Sequence, residues 1–454
     1  MTKTKMWHAI STAAPHLTIR HSFGLRHSSF VIFCGLVCCA ATAFGQKRNI
    51  TEKDLWDFVW IGDPQVSPDG SRVAFVRVTV NEKKEGYNTS IWAVSTSGNE
   101  QPHQLTKGDH DTTPRWAPDG KFLLFLRAND KDGKVEPPQL SILPMAGGDS
   151  FVFTDIPRGA SNPVWSPDGK SIVFTSDTNA EDLEKQEKKK RDESKKSPTA
   201  PVDRGPALKA EAELEHESDI HVITRAVYRE DNEGYADPKH PQHIWVVAVP
   251  RTAEERVQPK QITSGRFDEG NPIWAKDGAR IYFASTRVDE PYYELPRLDL
   301  FSIAPDGGEP SKITTIDLDT QFSPDSGAFS LSPDGKQIAF IAATTQPINS
   351  YTEPDLWVLD LVPNAKPRNL TEKFDYDAGG FLIADAAPPR ARGRNAPIWT
   401  PDGKGLIHVY AKEGKANLAL FDVATGQVKD LTSGNQGIMT FRAAGDTSKL
   451  ICTI

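Results

Sequence analysis

The chain has 454 residues, 38% of them hydrophobic and 25% charged, with a net charge of −8. That length suffices for two or three ordinary domains or one large repeat architecture, with enough apolar mass for a packed core. The acidic balance excludes general attraction to nucleic acid or an anionic membrane, and four cysteines exclude a disulfide-stapled scaffold.

The first element is a leader. Arg20 and Arg26 precede an apolar run from Phe30 to Ala41, and small residues follow at Thr42, Ala43 and Gly45 before polar Gln46, Lys47 and Arg48. This is the order of a secretory signal peptide, with an apolar core too short to cross a bilayer. Residues 1–45 are therefore expected to be leader and signal peptide, cleaved after Ala43 or Gly45. A periplasmic or extracellular location follows, with no membrane attachment in the mature form. Cys34, Cys38 and Cys39 lie in the leader, leaving Cys452 without an internal disulfide partner. No cysteine or histidine cluster has zinc spacing, and His240-Pro-Gln-His243 reads as a loop beside a proline turn.

From residue 67 onward one segment recurs. "SPDGSRVAFVR" at 67 returns as "APDGKFLLFLR" at 117, "SPDGKSIVFTS" at 166, "AKDGARIYFAS" at 275, "SPDGKQIAFIA" at 332 and "TPDGKGLIHVY" at 400. Proline presets the first turn corner, aspartate suits the second, and glycine accepts the left-handed conformation that closes a hairpin. The run that follows has strand composition. Trp116, Trp165, Trp274 and Trp399 precede the turns and can fill the space between neighbouring sheets. Each unit has a second half of strand, polar turn and strand, ending at Thr106, Thr154, Thr263, Thr314, Thr371 or Thr432.

The turn aspartates Asp69, Asp119 and Asp168 are 50 and 49 residues apart, a period that with four strands per unit predicts propeller blades. The expected fold is all-β, a seven-bladed β-propeller of WD40-like (PD40) repeats over residues 46–454. Six units are complete. A seventh begins at "TFRAAGDTSKLICTI", with Gly445-Asp446 in the turn position, and is incomplete. Such a blade exposes unpaired edges unless residues from elsewhere complete it. Between Asp168 and Asp277 the repeat is interrupted at about 179–218 by a charge-balanced, apolar-poor insertion expected to be a solvated loop or loose helix. Its Lys188-Lys189-Lys190-Arg191 run is interleaved with acids and lacks aromatics, so it does not read as a nucleic-acid site.

The repeats resemble the propeller of the prolyl oligopeptidase superfamily of serine peptidases, nearest its acylaminoacyl-peptidase and dipeptidyl-peptidase-like secreted branch. Beyond the repeat itself, three features carry the resemblance. "TEKDLWDFVWIGDPQVSPDGSRVAFV" (51–76) is similar to the family's opening helix and first blade, with Thr51 and Asp54 as a capping pair. The charged insertion falls in the third blade. "HVITRAVYREDNEGYADPKHPQHIWVVAV" (221–249) is similar to a strand, glycine-tyrosine turn and strand of the family.

The resemblance implies a propeller that restricts peptide access to a separate α/β-hydrolase domain bearing a Ser-Asp-His triad and no cofactor. Gly148-Asp149-Ser150-Phe151-Val152 and Gly159-Ala160-Ser161-Asn162-Pro163 both lack the second glycine of a G-x-S-x-G elbow. No catalytic residue is therefore assigned to this chain, and no metal ligand. Arg225 and Tyr228 are candidates for facing the substrate cavity, and Glu211, Glu213, Glu215 and Glu217 read as solvated surface. Two other readings stand beside this one. The first is a stand-alone periplasmic propeller binding protein partners, similar to TolB. The second is a propeller enzyme working in its own channel, which would need a histidine cluster where the eleven histidines are scattered.

Overall fold

The computed structural model describes residues 48–454 except 132, 196–219, 221, 224–227, 231–233, 236, 291–292, 321–328, 347–351, 381, 383–386 and 392–394. The expected signal peptide at 1–45 lies outside the described residues, as do Glu211, Glu213, Glu215 and Glu217. Six four-stranded antiparallel sheets follow one another around a β-propeller, the fifth carrying an extra short strand, Leu318–Asp319. Blade 1 is Val59–Val66, Arg72–Val80, Tyr87–Ser95 and His103–Gln104, and blade 6 is Ile398–Trp399, Gly405–Lys412, Lys415–Asp422 and Val428–Asp430. After it comes a two-stranded hairpin, Thr440–Ala443 with Leu450–Thr453, where the sequence suggests a further blade.

First strands of neighbouring blades lie against one another, so they form the inner wall. The repeated segment is the turn between first and second strands plus the second strand itself. Each blade thus begins one strand earlier than the repeat suggests. Before the repeat, Glu52–Asp57 forms a short 3-10 helix in which Asp54 accepts from the Thr51 backbone N–H at 2.7 Å and pairs with Arg48.

The turn chemistry explains the repeat. In blade 1, Gly70 N–H donates to Ser67 O at 2.8 Å with Gly70 at φ +68°, a left-handed conformation a Cβ disfavours. Asp69 accepts from the Ser67 hydroxyl at 2.6 Å and the Ser71 N–H at 3.0 Å, and these donors hold its pKa down at about 2. The turns also stack around the ring. A Cβ on Gly120, Gly169 or Gly403 would touch the proline of the preceding turn, Pro68, Pro118 or Pro333, at 3.6–3.8 Å. A Cβ on Gly70 would meet Ala444 of the hairpin turn at 3.2 Å, so the hairpin stands to blade 1 as each blade stands to the next.

One turn breaks the pattern. Thr447, at φ +54°, holds the left-handed place that glycine takes elsewhere, and its N–H donates to Ala444 O at 2.8 Å. A β-branched residue is strained there. Thr447→Gly is expected to raise stability by about 1 kcal/mol, read by chemical denaturation; a loss of stability would show that the turn carries no strain.

Two further devices hold the blades. The repeat-ending threonines lock strand four to strand three: Thr106, Thr154, Thr263, Thr371 and Thr432 accept, through Oγ1, the N–H of Ile91, Leu140, Ile244, Leu356 and Leu418 at 2.9–3.1 Å. The four tryptophans lock blade to blade. Nε1 of Trp116, Trp165, Trp274 and Trp399 donates to the carbonyl of Gln65, Arg115, Val164 and Ser330, each on the first strand of the preceding blade, at 3.0–3.2 Å.

Apolar layers fill every gap between neighbouring sheets. Ala74 and Ile91 of blade 1 meet Leu123 and Phe125 of blade 2. Phe421 of blade 6 packs with Leu356 of blade 5. Two layers seat the hairpin, with Phe441 against Ile407, Val409 and Leu418 on one side and Ile451 against Val73, Phe75 and Val94 on the other. Strand direction alternates within a blade, so all turns after first and third strands emerge on one face. Connections after second and fourth strands emerge on the other, and the longest lie there: Ser176 to His243 in blade 3 and Asn369 to Ile398 into blade 6.

Candidate functional site

The inner wall has a recurrent irregularity. In blades 1–4 the first strand shifts register at a residue that precedes proline: Asp63, Thr113, Asn162 and Asn271, at φ +42° to +58°. The bulge bends the strand and re-aims its side chains. At blade 1 it places Asp63, whose side chain is 5% exposed, between two arginines. Asp63 Oδ2 accepts from Arg115 Nη1 of blade 2 at 2.6 Å, Oδ1 accepts from Gln65 Nε2 at 2.6 Å, and Arg442 Nη2 of the hairpin stands 3.6 Å from Oδ1. Burial pushes the Arg442 pKa down; Asp63 opposes that shift and Arg115 adds to it. Arg442 also donates to Phe441 O, and Asn395 donates to Met439 O at 2.7 Å.

A segment from the connection into blade 6 passes beside this cluster. Ala391 packs against Trp60, Val76 and Val78 of blade 1, and no Cβ would fit at Gly62 beneath it. On the opposite face Lys449 Nζ donates to Gly70 O and Thr96 Oγ1, each at 3.1 Å. The join between hairpin and blade 1 is thus tied on both faces.

The base of the blade 3 insertion is a second polar centre. Helix α1, Ala180–Lys195, is capped by Asn179, whose Oδ1 accepts the Asp182 N–H at 3.0 Å, and is tied to blade 2 through Gln186 and Lys190 on Asp155. His240 lies between Asp182 and Asp237, at 3.2 and 2.8 Å. His243 opens the third strand of blade 3, which corrects the expected loop; its Nδ1 is 3.2 Å from Glu269, which also takes Arg287 at 2.9 Å. The expectation missed this because strand membership is set by pairing with Ser176, across the whole insertion.

Arg225 lies outside the described residues, and Tyr228 is 42% exposed beside a small hairpin, Arg229–Glu230 with Gly234–Tyr235. The inner-wall arginines were not singled out from the sequence; the only signal is the similar placement of Arg115 and Arg442 one residue before the position that Trp165 and Trp274 take. Among the described residues no serine hydroxyl is bonded to a histidine ring, and no cluster of three metal-ligating side chains occurs.

No protein-family model matches the chain. It is 28% identical over 411 residues, 90% of its length, to a Bacillus subtilis (strain 168) protein named uncharacterized peptidase YuxL. It is 21% identical over 440 residues, 93% of its length, to dipeptidyl-peptidase 5 of Porphyromonas gingivalis. It spans 55% of the length of each. Pyrococcus horikoshii acylaminoacyl peptidase superimposes with a TM-score of 0.56 at 17% identity, over 88% of this chain and 50% of that one. The chain is a β-propeller similar in sequence to part of YuxL and of dipeptidyl-peptidase 5, and similar in fold to part of acylaminoacyl peptidase.

Proposed function

We propose that this propeller is the substrate-gating part of an exported serine peptidase acting on peptides, with an α/β-hydrolase domain covering the face of long connections. The observation that carries the reading is an apolar set left open at the entrance to blade 1. Leu55, Trp56, Phe58, Val59 and Tyr87 are 36–49% exposed. Phe58, Trp60 and Tyr87 stack edge to face at 5.8–5.9 Å. These residues sit where first strands begin and second strands end, on the face of the long connections. An aromatic patch of this kind fits a protein interface. The homology to peptidases of which this chain spans 55% supports a hydrolase as its cover. In this reading the ring has seven blade positions, and the hairpin holds the seventh through the turn and apolar contacts that blades make with one another.

The test is the mass of the native protein, by antibody against the propeller, together with fluorophosphonate labelling. A labelled band well above 50.0 kDa is the expected result. An unlabelled band at or below that mass overturns the reading in favour of a free-standing propeller that binds partners.

A further inference from the structure

We infer that Arg115 and Arg442, with Asp63 between them, form a carboxylate-binding site on the inner wall of the propeller, suited to an acidic side chain or free carboxyl of a peptide. Three neighbouring first strands supply the three groups, two cations to one anion. The other buried inner-wall acids are neutralised within their own surroundings. Asp111 takes Arg127 through both oxygens at 2.8 Å, and Glu269 takes Arg287 with His243. They leave nothing to share with the pair.

Asp63 itself is saturated. Its two oxygens serve Gln65 and Arg115 at 2.6 Å, which leaves Arg442 only a 3.6 Å contact. Arg442 is 17% exposed, so an under-neutralised cation sits largely out of water, the situation that an added anion relieves. Arg115, 28% exposed, uses Nη1 for Asp63 and Pro114 O, and its Nε and Nη2 have no partner among the described residues. That free edge of a planar guanidinium matches a carboxylate with two parallel donors.

The inference takes its peptide source from the function proposed above, and its chemistry from the cluster alone. The test uses the full chain with fluorescein-labelled tetraglutamate and tetraglutamine, both amidated at the C-terminus so that only the first carries peptide carboxylates, compared by anisotropy at low ionic strength. Tetraglutamate is expected to bind at least about ten-fold tighter, Arg115→Gln to abolish the preference, and Asp63→Asn to strengthen it by freeing both guanidiniums. Equal binding of the two peptides overturns the site, as does a preference retained in Arg115→Gln. If Arg115→Gln fails to fold, Arg115→Lys decides: it keeps the charge and loses the fork, and undiminished affinity overturns the site. The native-mass and labelling result does not enter this comparison, so the two ideas fail separately.

Discussion

Phe441→Ala is expected to detach the closing hairpin while the six blades stay folded. Phe441 is fully buried between the hairpin and blade 6, with its ring edge-on to His408 at 5.2 Å. Burial holds the His408 pKa below its ordinary value, and its Nδ1 donates to Ala378 O at 2.9 Å, so Phe441 packs on a neutral ring. Truncating such a phenylalanine costs about 3–5 kcal/mol. Elsewhere in the ring that loss is shared by a four-stranded sheet. A two-stranded hairpin is marginal alone, so its stability is almost wholly its docking. The result should be local opening of residues 440–453, seen as lost amide protection there with the far-ultraviolet β signal retained.

Cys452 gives a second readout. Its thiol is half-buried and burial pushes its pKa up, so it reacts slowly while the hairpin is docked. In Phe441→Ala, alkylation of the peptide bearing Cys452 should accelerate by roughly a hundred-fold or more. Phe125→Ala, with an equally buried ring between blades 1 and 2, should lower the global transition without singling out that peptide. Wild-type alkylation of Cys452 in Phe441→Ala would overturn the docking account.

Gly62→Val is expected to release the segment at Ala391 from blade 1. A Cβ at position 62 would lie 2.6 Å from the Ala391 Cβ and nearer still to its carbonyl oxygen. Backbone on that side cannot yield as a flexible side chain would, and overpacking of this kind costs about 1–3 kcal/mol or more. Releasing the segment uncovers Val76 and Val78 and frees Asn395, which ties it to the hairpin through Met439 O. Amide exchange around residues 387–391 should rise together with a lower melting temperature. Gly445→Ala is the matched control: no atom lies within 4 Å of its added Cβ, and stability should change by less than about 0.5 kcal/mol. Equal effects at the two glycines would remove the segment's role.

The blades were legible because their information is local. Ser67 to Arg72 contains a whole turn with its acceptors and donors, and the copies at Asp119, Asp168 and Asp402 repeat it. The terminal threonines bond across a single hairpin of 14–19 residues. What escaped reading acts over long separations. Arg115 meets Asp63 across 52 residues, Lys449 meets Gly70 across 379, and no pattern within one repeat encodes either. The residue-before-proline bulge recurs four times but is not legible locally, because proline there suggests a strand end, whereas each one lies inside a strand. Tyr228 is singled out by family resemblance, and its side chain is exposed.

The tryptophan clasps have an order in time as well as in space. In all four the indole belongs to the later blade and the receiving carbonyl to the earlier one. On a chain emerging from the ribosome, the acceptor is therefore already part of a finished sheet when its donor appears. Gln65 waits for Trp116, and Arg115 for Trp165. A propeller latched in this sense can be assembled blade by blade during synthesis, with none of these four clasps waiting on residues still to be made.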